Sequence, residues 1–174
     1  MARRILDGLY LWSGYLAALF LVAIALTIIA QIIGRFFGVA IDSTESAGFS
    51  LAASTFLGLA YTFRHDGHIR VTLLIRHASG PFGTLAELWG VGFCAAAMAY
   101  LTYWSFDLVY FSYVFGDISP GLLAIPFWIP RSAMAVGSLI LTIALVDELV
   151  GILRGRTPSY VANSSALFKG EGDD

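Results

Sequence analysis

The sequence predicts an all-α integral membrane protein of four transmembrane helices, both termini cytoplasmic, with a short interfacial segment between spans two and three. Three observations predict it. Of 174 residues, 58% are hydrophobic and 13% charged, against roughly 25% charge in soluble domains, and mean hydropathy is +0.79. The apolar residues gather into four long runs. The basic residues gather on alternate segments between those runs, the pattern that orients membrane helices. This composition excludes an ordinary soluble domain and a disordered chain. A net charge of −2 leaves no bulk basic field for nucleic acid.

Residues 9–33 carry no charge and form roughly 37 Å of helix, enough to cross a hydrocarbon core of about 30 Å with some tilt. A cleaved signal peptide has an apolar region of roughly 7–15 residues, so this run is read as a retained first span. Residues 46–63 form a second, shorter span diluted by Ser50, Ser54, Thr55 and Thr62. Residues 64–78 are too charged to cross a bilayer and too apolar to float free. Ile69 and Leu73 share a helix side that Val71, Leu74 and Ile75 widen, which predicts an interfacial segment. Ser79-Gly80-Pro81 turns the chain into a third span, 88–111. Pro126 opens the fourth, 127–149, and Pro130 still fits its first turns. Residues 1–156 thus make one four-span membrane domain, and 157–174 a mobile cytoplasmic tail ending Gly-Glu-Gly-Asp-Asp.

Four spans put both termini on one side. Arg3, Arg4, Arg64, Arg70, Arg76, Arg154, Arg156 and Lys169 fall on the termini and the middle loop, and Arg35 and Arg131 on the opposite face. The bias places the termini and the 64–87 loop in the cytoplasm. Aromatics agree: Trp12 and Trp89 sit near inner ends, and Tyr103, Trp104, Tyr110, Tyr113, Phe127 and Trp128 near outer ends. Small residues recur four apart at Gly14/Ala18, Ser54/Gly58, Gly92/Ala96 and Ala133/Gly137. Such pairs let helices approach closely, either within this chain or against a second membrane protein.

Ion coupling inside a membrane uses ionisable groups or broken helices at mid-depth. Spans one and two carry no ionisable group, and no proline interrupts the middle of any span. Asp107 and Arg131 lie near the outer ends of spans three and four at matching depth, which predicts an intramembrane charge pair. These features argue against a stand-alone transporter. They also argue against a small homo-oligomeric exporter, which would carry an acidic residue near mid-depth. Cys94 is the sole cysteine, which excludes an internal disulfide and CxxC chemistry, and it reads as a small buried apolar residue. His65, His68 and His77 flank the inner surface, a poor arrangement for two-imidazole haem ligation or for a tetrahedral zinc site. No phosphate loop, nucleophile elbow or HExxH motif occurs. No catalytic, cofactor or metal residue is assigned, and the chain is not read as an enzyme.

Five stretches taken together resemble one family. They are Gln31-Ile32-Ile33-Gly34-Arg35-Phe36-Phe37 at the end of span one; Glu45 opening span two; Phe56-Leu57-Gly58-Leu59-Ala60; Arg64-x-x-Gly67-His68-Ile69-Arg70-Val71; and Ile125-Pro126-x-Trp128 with Gly137 downstream. In order and spacing they are similar to the small, DctQ-type membrane subunit of tripartite ATP-independent periplasmic (TRAP) transporters, over about residues 31–153. One departure stands out: the family often has Asp two residues after Ile-Arg, and here Val71 is followed by Thr72.

The resemblance implies a three-part importer in the bacterial inner membrane. A periplasmic solute-binding protein would deliver an organic acid or related solute. A large multi-span permease subunit would carry it with sodium ions. The small subunit would scaffold the large one and hold no solute site. Gln31, Arg35 and Glu45 would then sit at the outer surface, Arg35 and Glu45 either pairing within the chain or reaching a partner. Arg64, His68 and Arg70 would contact the large subunit or lipid head groups at the inner surface. The rival from another class is a haem-bearing or structural membrane anchor of an oxidoreductase.

Overall fold

The computed structural model describes residues 2–39, 42–64, 81–121 and 124–154. They form four helices: α1 (Ala2–Phe36), α2 (Thr44–Arg64), α3 (Pro81–Val114) and α4 (Trp128–Leu153). Among the described residues there is no strand beyond one isolated antiparallel bridge, Ile118 to Pro126. The expected interfacial segment, but for Arg64, and the expected tail lie outside the described residues.

Helices α1, α2 and α3 each contain one of the four apolar runs and outlast it; α4 begins one residue into its run, at Trp128, and outlasts it at the far end. α1 has 35 residues and α3 has 34, about 50 Å each. Both begin well before the apolar run does, because helical hydrogen bonding continues through polar residues that an apolar count stops at. Two helices, Leu6–Phe36 and Trp128–Leu153, are long and apolar enough to cross a membrane by length and composition. α2 is diluted by Ser, Thr and Gly. α3 is rich in Tyr and Trp, whose rings are apolar in body and polar at the tip.

The packing order differs from the chain order. α1 lies on α2, α2 on α4, and α4 on α3; α1 touches α4 only slightly. The helices form a row, 1-2-4-3, with α1 and α3 at its edges. Burial follows: 6% of the most apolar window of α1 is covered, against 44% for α4. Small residues set the contacts. A Cβ on Gly137 of α4 would fall 2.5 Å from the Phe56 carbonyl carbon of α2, so the two backbones touch there. A Cβ on Gly14 of α1 would fall 2.7 Å from the Tyr61 ring, and one on Gly58 would meet Ala17 at 3.5 Å. Three of the small-residue positions in the sequence therefore pack this chain's own helices. Gly92 meets its neighbour at ordinary distance, and Ala18 and Ala96 are exposed; Cys94, expected to be buried, is exposed as well, on a face of the edge helix α3 that this chain leaves uncovered.

Tyr10, Ala17, Leu57, Ala60, Ala95, Leu141 and Leu145 belong to the core, which draws on all four helices. Between α3 and α4, the Thr102 and Thr142 hydroxyls meet at 3.0 Å. Each oxygen also lies 2.8 Å from a carbonyl of its own helix, that of Met98 or Ser138, so one hydroxyl donates to its carbonyl while the other donates across the interface. Such interhelical bonds contribute on average about 0.6 kcal/mol in a membrane.

Candidate interaction site at the cap end

The bundle has two ends. One carries the α1–α2 and α3–α4 connections and is called the cap end; the other carries the start of α1 and the end of α4. Most residues singled out in the sequence lie at the cap end, and local backbone chemistry explains how they arrive there.

α1 and α3 finish in the same way. Gly38 and Gly116 adopt φ of +74° and +65°, a conformation that costs glycine nothing. The Val39 N–H then donates to the Gly34 carbonyl at 2.9 Å, and the Asp117 N–H to the Ser112 carbonyl at 3.1 Å. This six-to-one closure, with a left-handed glycine one residue earlier, is a Schellman stop. It places Asp117 directly above the end of α3. The chain then doubles back: Ser119 N–H donates to Ile125 O, and Phe127 N–H to Asp117 O, both at 2.9 Å. α4 therefore begins beside Asp117.

That geometry selects the partner of Arg131. Its Nη1 lies 3.2 Å from Asp117 Oδ2, and its guanidinium carbon sits 4.8 Å above the Phe127 ring. The expected Asp107–Arg131 pair is thus corrected to Asp117–Arg131; Asp107 is half-buried and makes no ion pair among the described residues. Matching depth along two helix axes was a sound constraint, but it ignored the loop that folds a nearer carboxylate onto the arginine. Asp117 also stands at the N-terminus of α4, where an anion is favoured and a lone Arg131 is not.

The same loop covers the start of α2. A Cβ on Gly121 would fall 2.1 Å from Glu45 Oε2, so this glycine leaves the space that the carboxylate occupies. Phe127 meets Phe49 edge to face, with ring centroids 6.0 Å apart. The α1–α2 connection is tied separately. Ser43 is buried and its hydroxyl donates to Gln31 Oε1. Thr44 N–H donates to Asp42 Oδ1 at 3.0 Å. Hydrogen bonds from the Thr44 backbone and side chain hold the exposed Asp42 carboxyl below its usual value. Its contribution to the α2 start is present above the ordinary carboxylate range and is lost as pH falls through that lowered value.

The structure thus brings Gln31 to Ser43 and Glu45 to Gly121. Arg35 remains exposed, with no ion pair among the described residues, so it does not pair with Glu45. Arg64 ends α2; His68 and Arg70 lie outside the described residues. Sequence reasoning missed Glu148, which is 5% exposed within α4 near the opposite end. Its signal was present: Leu141, Ala144, Leu145, Glu148 and Ile152 recur at helical spacing, and all are buried. The described residues hold no group of three or more His, Cys, Asp or Glu that could bind a metal.

The ion pair can be tested by charge exchange. Asp117→Arg and Arg131→Asp are each expected to cost about 1–2 kcal/mol, the ion pair and the ring contact together. The double exchange should recover part of that loss in a thermal unfolding assay in detergent. Asp107→Asn should leave Tm within about a degree. A large loss with Asp107→Asn and none with Asp117→Arg would restore the pairing first expected.

The arrangement is an interlocked polar cap on an apolar row, with an exposed cation at Arg35 and half-exposed groups at Asp117 and Arg131. It offers surface for contact and no constellation for bond-making chemistry. A family model described as "Tripartite ATP-independent periplasmic transporters, DctQ component" matches residues 24–155, about three quarters of the chain. No curated protein and no solved structure gives a significant match.

Proposed function

The chain belongs to the DctQ component family of tripartite ATP-independent periplasmic transporters, and from that premise we propose that it is the small permease subunit of a sodium-driven importer of organic acids or related solutes. The family match is the observation that carries this reading. The family is a transporter component and not an enzyme, and it implies a large permease subunit and a periplasmic binding protein as partners. It lends nothing to an oxidoreductase anchor.

In this proposal all four helices span the inner membrane, with both termini cytoplasmic and the cap end facing the periplasm. Residues 1–156 are the membrane domain, 64–78 an interfacial segment, and 157–174 a cytoplasmic tail. The chain scaffolds the large subunit and binds no solute. An open row supports that role, since α1 and α3 each have one substantial helix neighbour and leave wide apolar faces for a partner or lipid. Arg35, exposed at the end of α1 one turn beyond Gln31, is suited to contact a docked protein at the cap, where Glu45 opens α2. Arg64, His68 and Arg70 are suited to the opposite surface, where lipid phosphates or the large subunit would meet them.

Co-purification from native membranes in mild detergent tests the reading. A stoichiometric large multi-span protein is expected. Recovery of a haem or redox subunit, or of this chain alone as an oligomer, would overturn it. In vesicles, uptake should need all three components and an inward sodium gradient; uptake by this chain alone would refute the scaffolding role.

A further inference from the structure

We infer that one face of α3 is the docking seam for a membrane helix of the large permease subunit, and that this helix carries a basic side chain level with Asp107. The inference rests on the proposed reading that this chain is the small subunit and that its helices span a bilayer. α3 carries two seams of the same period on opposite sides. Val91, Ala95, Thr102, Ser105 and Ser112 are buried, and the contact of Thr102 with Thr142 shows that their side faces α4. About 160° around the helix, at about 100° per residue, run Phe93, Ala96, Tyr100, Tyr103, Asp107 and Tyr110. Asp107 is half-buried and the other five are exposed. α4 is the substantial helix neighbour of α3 among the described residues, and it lies on the other side.

Depth decides what can cover this second seam. α3 and α4 run antiparallel, with Thr102 level with Thr142 and Gly92 near Leu149. Counted from that level, Asp107 stands level with Gly137, Tyr103 with Leu141 and Tyr100 with Ala144. These levels lie about 9, 15 and 20 Å inside that of the Arg131 backbone, where the polar cap begins. A hydrocarbon core is about 30 Å thick, so both tyrosines stand near its middle. Each is 68% exposed. Neither phenol, nor the Asp107 carboxyl, has a hydrogen-bond or ionic partner among the described residues. Acyl chains supply none, and a tyrosine facing lipid belongs at the interface rather than the middle. The other edge helix is built differently. The middle of α1 exposes Leu19, Val22, Leu26 and Ile29, side chains that lipid solvates.

The seam therefore fits protein, and its pattern describes the partner. A repeat of alternating three and four residues suits a second helix crossing at about 20°. Trp104 braces the middle of the seam. Tyr100 and Tyr103 both meet its ring edge to face, with centroids 6.2 and 5.7 Å apart, a preset aromatic platform of the kind that anchors interfaces. A second copy of this chain does not fit. Copies share one orientation in the membrane, so a two-fold pairing along the seam would set Asp107 against Asp107. A carboxylate inside the membrane requires arginine or lysine opposite it, and the phenols require carbonyl or hydroxyl acceptors. The large subunit, the multi-span partner in this reading, is the source of such a helix.

Photo-cross-linking maps the face. Benzoylphenylalanine is placed singly along residues 96–110 of the full chain, co-expressed with its large subunit. Adducts to the large subunit should peak at Ala96, Tyr100, Tyr103 and Tyr110. They should be weak at Ala97, Leu101 and Leu108, which are exposed on a different side of α3. Peaks at those three positions, or adducts from the seam to lipid or to a second copy in the assembled complex, would overturn the proposal. Competition reads the charge. With differently tagged parent and Asp107→Asn chains expressed equally and the large subunit limiting, the parent should occupy the complex in about three- to tenfold excess. The isolated variant should keep the parent's Tm, so a lost fold is not the cause. Equal occupancy would overturn the basic partner. If the parent recovers no large subunit, the subunit assignment fails and the seam with it; if it recovers one without seam adducts, the seam alone fails.

Discussion

Gly137→Ala should disrupt the packing of α2 against α4 and cost about 3 kcal/mol or more. The added carbon would lie 2.5 Å from the Phe56 carbonyl carbon and 2.7 Å from its oxygen. These are backbone atoms, so no rotamer change relieves the clash and the helices must part. Overpacking in a close-packed interior typically costs 1–3 kcal/mol, and a backbone contact belongs at the top of that range. The same separation would loosen the core around Leu57, Ala60, Leu141 and Leu145, which lies between these helices. Thermal unfolding in detergent gives the readout. Gly151→Ala is the matched control: it lies in the same helix with open space beyond its Cα, and it should be neutral or slightly stabilising. Equal Tm values for the two variants would show that α2 and α4 do not touch at Gly137.

Gly14→Leu should release α1 and leave the rest of the row in place. A Cβ at Gly14 would meet the Tyr61 ring at 2.7 Å and Tyr61 Cβ at 3.2 Å. Turning the ring clears only part of the space, because its point of attachment is also close. α1 has α2 as its one substantial neighbour, so a wedge at this contact removes its docking. Ala17 and Gly58 provide the reporter. Their Cβ positions stand 3.5 Å apart, within the disulfide range of about 3.5–4.5 Å. With Cys94 changed to Ala, Ala17→Cys and Gly58→Cys should oxidise readily to a cross-link in the parent and poorly after Gly14→Leu. Undiminished cross-linking would show that α1 tolerates the wedge.

These two glycines also mark how far the sequence could be read. Four helices were legible because apolar runs near membrane length announce themselves. Their true ends were not, since Arg3, Arg4 and the residues after Pro81 continue a helix that hydropathy stops counting. Close-approach positions were legible as small residues four apart. Which helix each would meet was not, because spacing along one helix carries no information about its neighbour; Gly137 meets Phe56 of α2, and nothing near either residue says so. Asp117 escaped attention for a related reason. It lies outside the apolar runs, and only the stop at Gly116 with the return at Ile118 and Pro126 carries it to Arg131. Glu148 was overlooked because attention went to mid-depth charges, although its place on the buried stripe of α4 could be counted directly.

The 1-2-4-3 order has a consequence for biosynthesis. α1 and α2 can associate as soon as both have left the ribosome. α3 emerges next and has no substantial helix neighbour among the described residues, since the helix it packs on is α4, the last of the four to be made. Its Thr102 hydroxyl has no Thr142 to meet during that interval, and in the proposed four-span topology its aromatic surface faces lipid. A stop codon or translational arrest before residue 128 would therefore strand α3 beside a finished α1–α2 pair. Such nascent chains should be the form that membrane quality control recognises, because adding the final helix joins both halves at once.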